Sequence, residues 1–170
     1  TDPGASASDN YDGDITDLIV VSGSVDPTTI GAYYLQYNVT DSQGNDALTS
    51  IRTINVIDDI SPTISLFGAS SVIIEVGSTF SDSGASAIDN YDGSIPLSSF
   101  SINSNLDTST VGSYSITYDV SDSSGNPAIQ VTRIVEVQDT QKPVITLAGN
   151  SSTSIESGLT YTDSGATVSD

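Results

Sequence analysis

The 170-residue sequence contains no cysteine, methionine, tryptophan or histidine. Without cysteine it has neither a disulfide framework nor a thiolate metal site. Without histidine it lacks the usual proton shuttle and the commonest ligand of transition metals. No apolar run predicts a transmembrane helix, and no signal peptide is visible. These gaps argue against acid–base catalysis, so we expect a chain that is not an enzyme.

Positive charge is also scarce. Three basic residues, Arg52, Arg133 and Lys142, stand against 22 acidic residues, which gives a formal net charge of -19. Nucleic-acid binding needs a basic surface, and an anionic membrane would repel this chain. We therefore expect no nucleic-acid partner and no direct membrane insertion. The acidic residues cluster in loops, which favours the binding of cations there.

The chain repeats itself with a period of about eighty residues. The string from Thr1 through Asp-Asn-Tyr-Asp-Gly at 9–13 returns as 81–93 and begins again at Thr162. The other matching pairs are Gly31-Ala32-Tyr33 with Gly112-Ser113-Tyr114, the loop 41–45 with 122–126, Arg52 with Arg133, and Asp58 with Asp139. The offset is 80 at first and 81 later, so the chain is a tandem array.

Linkers that contain Pro62 and Pro143 set the phase of the repeat. We predict that residues 1–58 form a module without its first strands and that 59–140 form a complete module. Residues 141–170 would then supply the first strands of a further one. This phase predicts either a window of a longer array or a tail that completes the head of the next chain.

The complete module has the alternation of apolar and polar residues that is typical of strands. Tyr114, Ile116, Tyr118 and Val120 fall on one face, and turn residues separate about seven such runs. We therefore predict an all-β chain of tandem Ig-like antiparallel β-sandwiches with about seven strands each. Asp107 through Gly112 to Tyr114, and likewise Asp26 through Gly31 to Tyr33, further match the tyrosine corner of such sandwiches.

These motifs together resemble the bacterial Ig-like surface-protein repeat, which is related in style to hyalin-type and cadherin-like repeats. The Thr-Asp-x-Gly-Ala string, the Asp-Asn-Tyr-Asp-Gly loop, the Val-Gly-x-Tyr-x-Ile-x-Tyr-x-Val strand and the Asp-Ser-x-Gly-Asn loop carry the resemblance. It implies tandem modules in a secreted or surface-anchored bacterial protein such as an adhesin. It implies no activity for the module itself.

In an Ig-like sandwich, the loop after the second strand and the loop before the last strand meet at the pole where the linker enters. Calcium takes six to eight oxygen ligands, such as the carboxylate and amide oxygens of these acidic loops. Without a cation, the carboxylates gathered there would repel one another. Turn formation by Asp and Asn is the alternative reason for such loops. The candidate Ca²⁺ ligands are Asp9, Asn10, Asp12, Asp14, Asp41, Asn45, Asp58, Asp59, Asp89, Asn90, Asp92, Asp122, Asn126 and Asp139.

Three functions fit these features. The first is an extracellular spacer or stalk with junctions stiffened by Ca²⁺. The second is a subunit of a self-assembling filament, in which residues 143–161 complete the 1–58 module of the next subunit. The third is an adhesive module that binds a cell-surface glycan or protein. The expected partners of this chain are copies of the same repeat, in cis or in trans.

Arg52 and Arg133, on the last strand of each copy, are expected to pair with a cross-strand carboxylate.

Overall fold

The structure, a computed structural model, describes residues 2–170, and its regular elements in that range are strands and two 3-10 helices, Thr16–Leu18 and Leu97–Ser99. The chain divides into two compact units, of which the first ends at Ile60 and the second is Ser61–Asp170. The first contains β1 (Ser8–Asp9), β2 (Gly13–Asp14), β3 (Val20–Ser22), β4 (Gly31–Asn38) and β5 (Ser50–Val56). The second contains β6 (Thr63–Leu66), β7 (Ser71–Glu75), β8 (Ala85–Asp89), β9 (Gly93–Ile95), β10 (Ser101–Ser104), β11 (Gly112–Asp119), β12 (Val131–Gln138), β13 (Val144–Leu147) and β14 (Ala166–Ser169). No helix within residues 2–170 is long and apolar enough to cross a bilayer.

The seven strands from β6 to β12 form a sandwich of two sheets, as predicted. One sheet has the order β6-β8-β9, and the other has the order β10-β11-β12-β7. The buried core draws on both sheets, with Ile64, Ala87 and Ile95 from the first and Tyr118 and Val135 from the second. Burial alternates along β11 and β12, so the period-two pattern of the sequence marks the face that packs inward.

One strand pair differs from the predicted antiparallel arrangement. β7 runs parallel to β12, with Ser71 opposite Ile134 and Glu75 opposite Gln138, whereas the other strand pairs of the described residues are antiparallel. β6 and β7 are separated by a glycine turn at Gly68, whose positive φ of 76° carries the chain from one sheet to the other. The composition of β7 does not reveal this change of sheet, because β-branched residues favour a strand whether it pairs in parallel or antiparallel.

The first unit contains a smaller set of strands in its described part, residues 2–60. Its sheets are β1-β2 and β3-β4-β5, so β5 forms one edge of a three-stranded sheet. Tyr37 is buried, but Leu35, Ile54 and Val56 are only half-buried. Their counterparts in the second unit, such as Val135, are fully buried. The predicted module boundaries at 58 and 140 stay predictions.

Both predicted tyrosine corners are confirmed. The hydroxyl of Tyr114 donates a hydrogen bond to the carbonyl oxygen of Thr110 at 2.9 Å, and that of Tyr33 donates to Thr29 at 2.8 Å. Each bond joins the start of a long strand to the turn just before it. The tyrosine rings therefore fix the entry angle of β4 and β11.

Arg133 lies inside the sandwich rather than on its surface. The residue as a whole is about 1% exposed, and its Nε lies 2.8 Å from a carboxylate oxygen of Asp82. The expected cross-strand partner was therefore wrong, because Asp82 precedes β8 in the opposite sheet. Arg133 shares the inward face of β12 with Val135 and Val137, so its guanidinium group reaches across the core. It also donates hydrogen bonds to the backbone carbonyls of Phe67, Ala69 and Gly84.

Candidate metal site

The Asp-Asn-Tyr-Asp-Gly loops fold around their first aspartate. Oδ1 of Asp89 accepts hydrogen bonds from the backbone N–H groups of Tyr91 (2.7 Å) and Asp92 (3.0 Å). Oδ1 of Asp9 does the same with Tyr11 (2.8 Å) and Asp12 (3.0 Å). Turn formation by aspartate therefore accounts for one carboxylate oxygen of each loop.

The two acidic loops of each unit meet, as the sequence predicts. Both oxygens of Asp92 accept hydrogen bonds from Ser123, one from its backbone N–H and one from its hydroxyl group, each at 2.6 Å. Asp12 is joined to Ser42 in the same way, at 2.9 and 2.7 Å. The second aspartate of each repeated loop therefore ties that loop to the loop before the last strand.

The second loop is also closed around an aspartate. Asp122 accepts hydrogen bonds from the backbone N–H of Asn126 and from its side-chain amide, each at 2.7 Å. Asp41 and Asn45 repeat the arrangement, again with 2.7 Å for each bond. Each asparagine therefore donates hydrogen bonds from its backbone and side-chain N–H groups, and these bonds hold the aspartate carboxylate in a fixed position.

Carboxylates from the two loops come together in both units. In the first unit, carboxylate oxygens of Asp9, Asp12 and Asp41 lie within 4.8 Å of one another, and all three residues are half-buried. In the second unit, a carboxylate oxygen of Asp89 lies within 4.8 Å of one from Asp122. These two aspartates are only 7% and 8% exposed. Two buried like charges at this separation repel each other strongly unless a cation lies beside them.

The Asp89–Asp122 pair has an unsatisfied oxygen. Oδ2 of Asp89 is buried and has no hydrogen-bond partner within residues 2–170. The two ion pairs in that range involve Arg52 with Asp2 and Arg133 with Asp82, so neither basic group neutralises Asp89 or Asp122. A buried carboxylate oxygen without a partner costs free energy, and a bound cation removes that cost. The donor set, carboxylate oxygens with no nitrogen or sulfur, fits Ca²⁺.

Hydrogen bonds lower the pKa of three carboxylates in these groups, Asp9, Asp41 and Asp122. Burial acts to raise the pKa of Asp122, but hydrogen bonds from the side chain and backbone of Asn126 bring it below its usual value of 3.8. Hydrogen bonds from the side chain and backbone of Asn45 lower the pKa of Asp41. The pKa of Asp9 is lowered by the backbone N–H groups of Asp12 and Tyr11, although burial and the charge of Asp41 oppose the shift.

Several predicted ligands lie outside these groups of carboxylates. Asp14 instead accepts a hydrogen bond from the backbone N–H of Thr16 at 3.0 Å, at the start of the first 3-10 helix. Asp59 follows β5 and is exposed. The remaining predicted ligands, Asn10, Asn90 and Asp139, are exposed.

The loops occupy one end of the second sandwich. Thr63 opens β6 and lies opposite Ile88, so Asp89 and the loop after it lie at the end where the chain enters this module. The predicted position at the entry pole is thus confirmed within this unit. Sequence reasoning missed Ser42 and Ser123, which join the loops. Their recurrence at matching positions of the two copies was the available signal.

Comparisons with known proteins match this architecture. A family model described as "Bacterial surface protein, Ig-like domain" matches residues 1–56 and 64–137. The chain is 38% identical over 128 residues to the pesticidal crystal protein Cry22Aa of Bacillus thuringiensis, which covers 72% of this chain and 17% of that protein. It is 30% identical over 165 residues to an uncharacterized 81.3 kDa protein of Acholeplasma phage L2, covering 93% and 22%. The chain spans about a fifth of the length of these relatives.

Solved structures also show partial similarity. The lipoprotein BT2262 from Bacteroides thetaiotaomicron matches with a TM-score of 0.41 and 27% identity, over 48% of this chain and 39% of that one. A Clostridium perfringens ZmpB structure with CBM51-2 in complex with GlcNAc, and INT domains, matches with a TM-score of 0.38 and 23% identity. That match covers 53% of this chain and 21% of the other.

Proposed function

Because the chain belongs to the bacterial surface protein Ig-like domain family, we propose that it is a non-catalytic spacer segment of a larger extracellular protein. Two tandem matches to one domain family support this function, since each copy adds length to an array. The acidic residues that could have served catalysis are instead held by turn hydrogen bonds in both copies. The proposal includes a cell-surface glycan or protein as a partner, which regions outside this chain would bind.

The second element of the proposal is that Ca²⁺ binds between Asp89 and Asp122. The buried, unpartnered Oδ2 of Asp89 is the observation that carries it. A calcium ion beside this oxygen would satisfy it and would cancel the repulsion between the two carboxylates. Asp9, Asp12 and Asp41 offer a second, more exposed site in the first unit. We expect the more exposed site to bind more weakly, because water screens its charges.

Calorimetric titration of the full chain with Ca²⁺ tests the metal site. Asp89→Asn and Asp122→Asn should each weaken the tighter binding event at least about tenfold, since each removes a charged ligand. Asp17→Asn is the matched control, because Asp17 is exposed and the same charge is removed there. Binding that is unchanged in both loop variants, or an equal loss in the control, would disprove this site.

A second experiment tests the spacer role itself. If calcium stiffens the array, small-angle scattering should show a larger maximum dimension in Ca²⁺ than after chelation. The Asp122→Asn variant should lose most of this difference while its circular dichroism stays unchanged. Equal dimensions with and without calcium, in a protein that calorimetry shows to bind it, would leave a metal site without a stiffening role.

A further inference from the structure

The outward face of the sheet β3-β4-β5 carries no charged side chain. Burial alternates along β4, where Leu35 and Tyr37 point inward, so the residues between and beside them point away from the core. Their partners on β3 and β5 lie on the same outward face. No outward position of these strands is acidic or basic, although the whole chain has a net charge of -19. This neutral face consists mainly of the side chains of Tyr34, Gln36, Asn38, Ile51, Thr53 and Asn55.

Tyr34 is the aromatic residue of the neutral face. It is 55% exposed and lies directly opposite Thr53 on β5. Ile51, which is 58% exposed, is its diagonal neighbour on the same strand, so an aliphatic side chain lies within reach of the ring. The face of an aromatic ring is electronegative and attracts weakly positive C–H groups. The ring and Ile51 therefore offer a platform for a ligand whose flat side consists of polarised C–H groups.

Three amide side chains lie on the same surface. Gln36 and Asn38 follow Tyr34 on β4, and Asn55 lies on the adjacent strand. The hydroxyl group of Thr49 donates a hydrogen bond to the amide oxygen of Asn38 at 2.6 Å, which leaves the amide nitrogen as a donor. An amide offers both donors and an acceptor without carrying charge. Strand stability does not account for the two asparagines, because Asn is depleted in strands.

The second unit has a different surface at the equivalent place. With the offset of 81, Ser115 corresponds to Tyr34. Asp119 stands in place of Asn38, and Glu136 corresponds to residue 55, so two amides are replaced by carboxylates. The pairing of β7 with the edge of β12 extends this surface without covering it, since Ser115 remains partly exposed. The aromatic ring and the lack of charge are therefore features of the first copy and not of the fold.

We propose that the neutral face of the first unit binds a neutral oligosaccharide. A sugar ring stacks its C–H groups on Tyr34, and the hydroxyl groups along the chain exchange hydrogen bonds with the amides. Same-side residues of a strand are about 7 Å apart, so a ligand that reaches from Tyr34 to Asn38 spans about 14 Å, which is more than one sugar ring. This face adds a binding site within the chain to the spacer role, and it does not rest on calcium.

The charge and the size of the neutral face select this class of ligand. An acidic glycan would meet no basic group there and would be repelled by the acidic chain, and a cationic ligand would meet no carboxylate on the face. Three strands about 4.8 Å apart give a face of roughly 300–400 Å². A stable protein interface needs about 800 Å² on each partner, so the face suits a short sugar chain better than a protein.

A glycan array tests the binding. The full chain, with EDTA present, is applied to neutral oligosaccharides of glucose, mannose or N-acetylglucosamine and to acidic oligosaccharides of uronic acids. We expect retention on at least one class of the neutral chains and none on the acidic chains. Retention on none of the neutral chains would overturn the proposal. Retention that requires Ca²⁺ would also overturn it, because the acidic loops would then hold the sugar.

Calorimetric titration with the retained oligosaccharide assigns the site. Tyr34→Ala should weaken binding at least about tenfold, whereas Ser115→Ala, at the matching position of the second copy, should leave it unchanged. Asn38→Asp should weaken binding to a similar extent, because it replaces a donor by an unpaired charge, and Asp119→Asn is its matched control. An aspartate at position 38 can still accept the hydrogen bond from Thr49, so this variant should fold.

Two results would refute the assignment of the site. One is binding that Tyr34→Ala and Asn38→Asp leave unchanged, or that falls equally in their controls, in variants whose circular dichroism and urea midpoint match those of the original chain. The other is self-association of the chain that light scattering detects and Tyr34→Ala abolishes, because the neutral face would then serve a protein contact.

Discussion

The two repeated arginines make a matched experiment inside one chain. Arg133 is buried, with an ion pair to Asp82 and hydrogen bonds to three backbone carbonyls, whereas Arg52 keeps its carboxylate partner at a more exposed position. Replacing each by glutamine removes the same charge at equivalent positions. The different surroundings should then decide the loss of stability.

We expect Arg133→Gln to lower the free energy of unfolding of the second unit by about 3–5 kcal/mol, because it removes a buried charge that holds Asp82 and three backbone carbonyls. For a module of this size, that loss corresponds to a fall in Tm of roughly 12 °C or more. Arg52→Gln should cost about 1 kcal/mol or less, because its ion pair with Asp2 is partly exposed and such pairs contribute little. Adding Asp82→Asn to Arg133→Gln should recover part of the loss, since the unpaired carboxylate is then neutral.

Native-state hydrogen exchange is the suitable assay, because two units need not unfold together. Amides of β11 and β12 should lose protection in Arg133→Gln, while those of β4 and β5 keep theirs. Calorimetry then gives the change in Tm for the same samples. A cost for Arg133→Gln that matches that of Arg52→Gln would refute the assignment of Arg133 as a buried structural partner.

Three further predictions concern single features. With a chelator present, the urea concentration at the midpoint of unfolding should decrease as the pH is lowered past about 3.8. The pKa of Asp122 is lower in the folded chain than in the unfolded chain, so this group stabilises the fold above pH 3.8 and stops doing so once its carboxylate is protonated. A midpoint that increases at lower pH would contradict this. Gly23→Ala should destabilise more than Gly13→Ala in thermal melting. Both glycines have positive φ, but a Cβ at Gly23 would lie 2.2 Å from the carbonyl oxygen of Tyr34, whereas one at Gly13 meets nothing within 4 Å. Tyr114→Phe should lower the free energy of unfolding by about 1 kcal/mol through loss of its backbone hydrogen bond, as urea denaturation would show.

The repeat and the alternation of residues predict most of the fold. The inward face of β11, the tyrosine corners and the meeting of the two acidic loops all follow from patterns within about 40 residues of sequence. The change of sheet between β6 and β7 does not, since it depends on one turn. The partners of Arg133 are also beyond local patterns, because Phe67 and Ala69 lie more than sixty positions away.

The candidate site was only partly predictable for a related reason. Asp9, Asp12, Asp41, Asp89 and Asp122 share their residue type with every other loop aspartate. Only the distances between their carboxylate oxygens and their burial distinguish them from aspartates that merely form turns. Asp14 has the same chemistry, yet its carboxylate accepts a hydrogen bond from the backbone N–H of Thr16 instead of joining the group.

The parallel pairing of β7 with β12 has a mechanical consequence. β7 lies near the start of the second sandwich and β12 at its end, and five residue pairs join them lengthwise. Tension applied through the two ends of this module would draw the strands in opposite directions along their length. All the hydrogen bonds of the pair would then share the load at once, instead of opening one after another from a free end. We therefore expect the module to yield abruptly, at a higher force than a pair of strands that opens one hydrogen bond at a time.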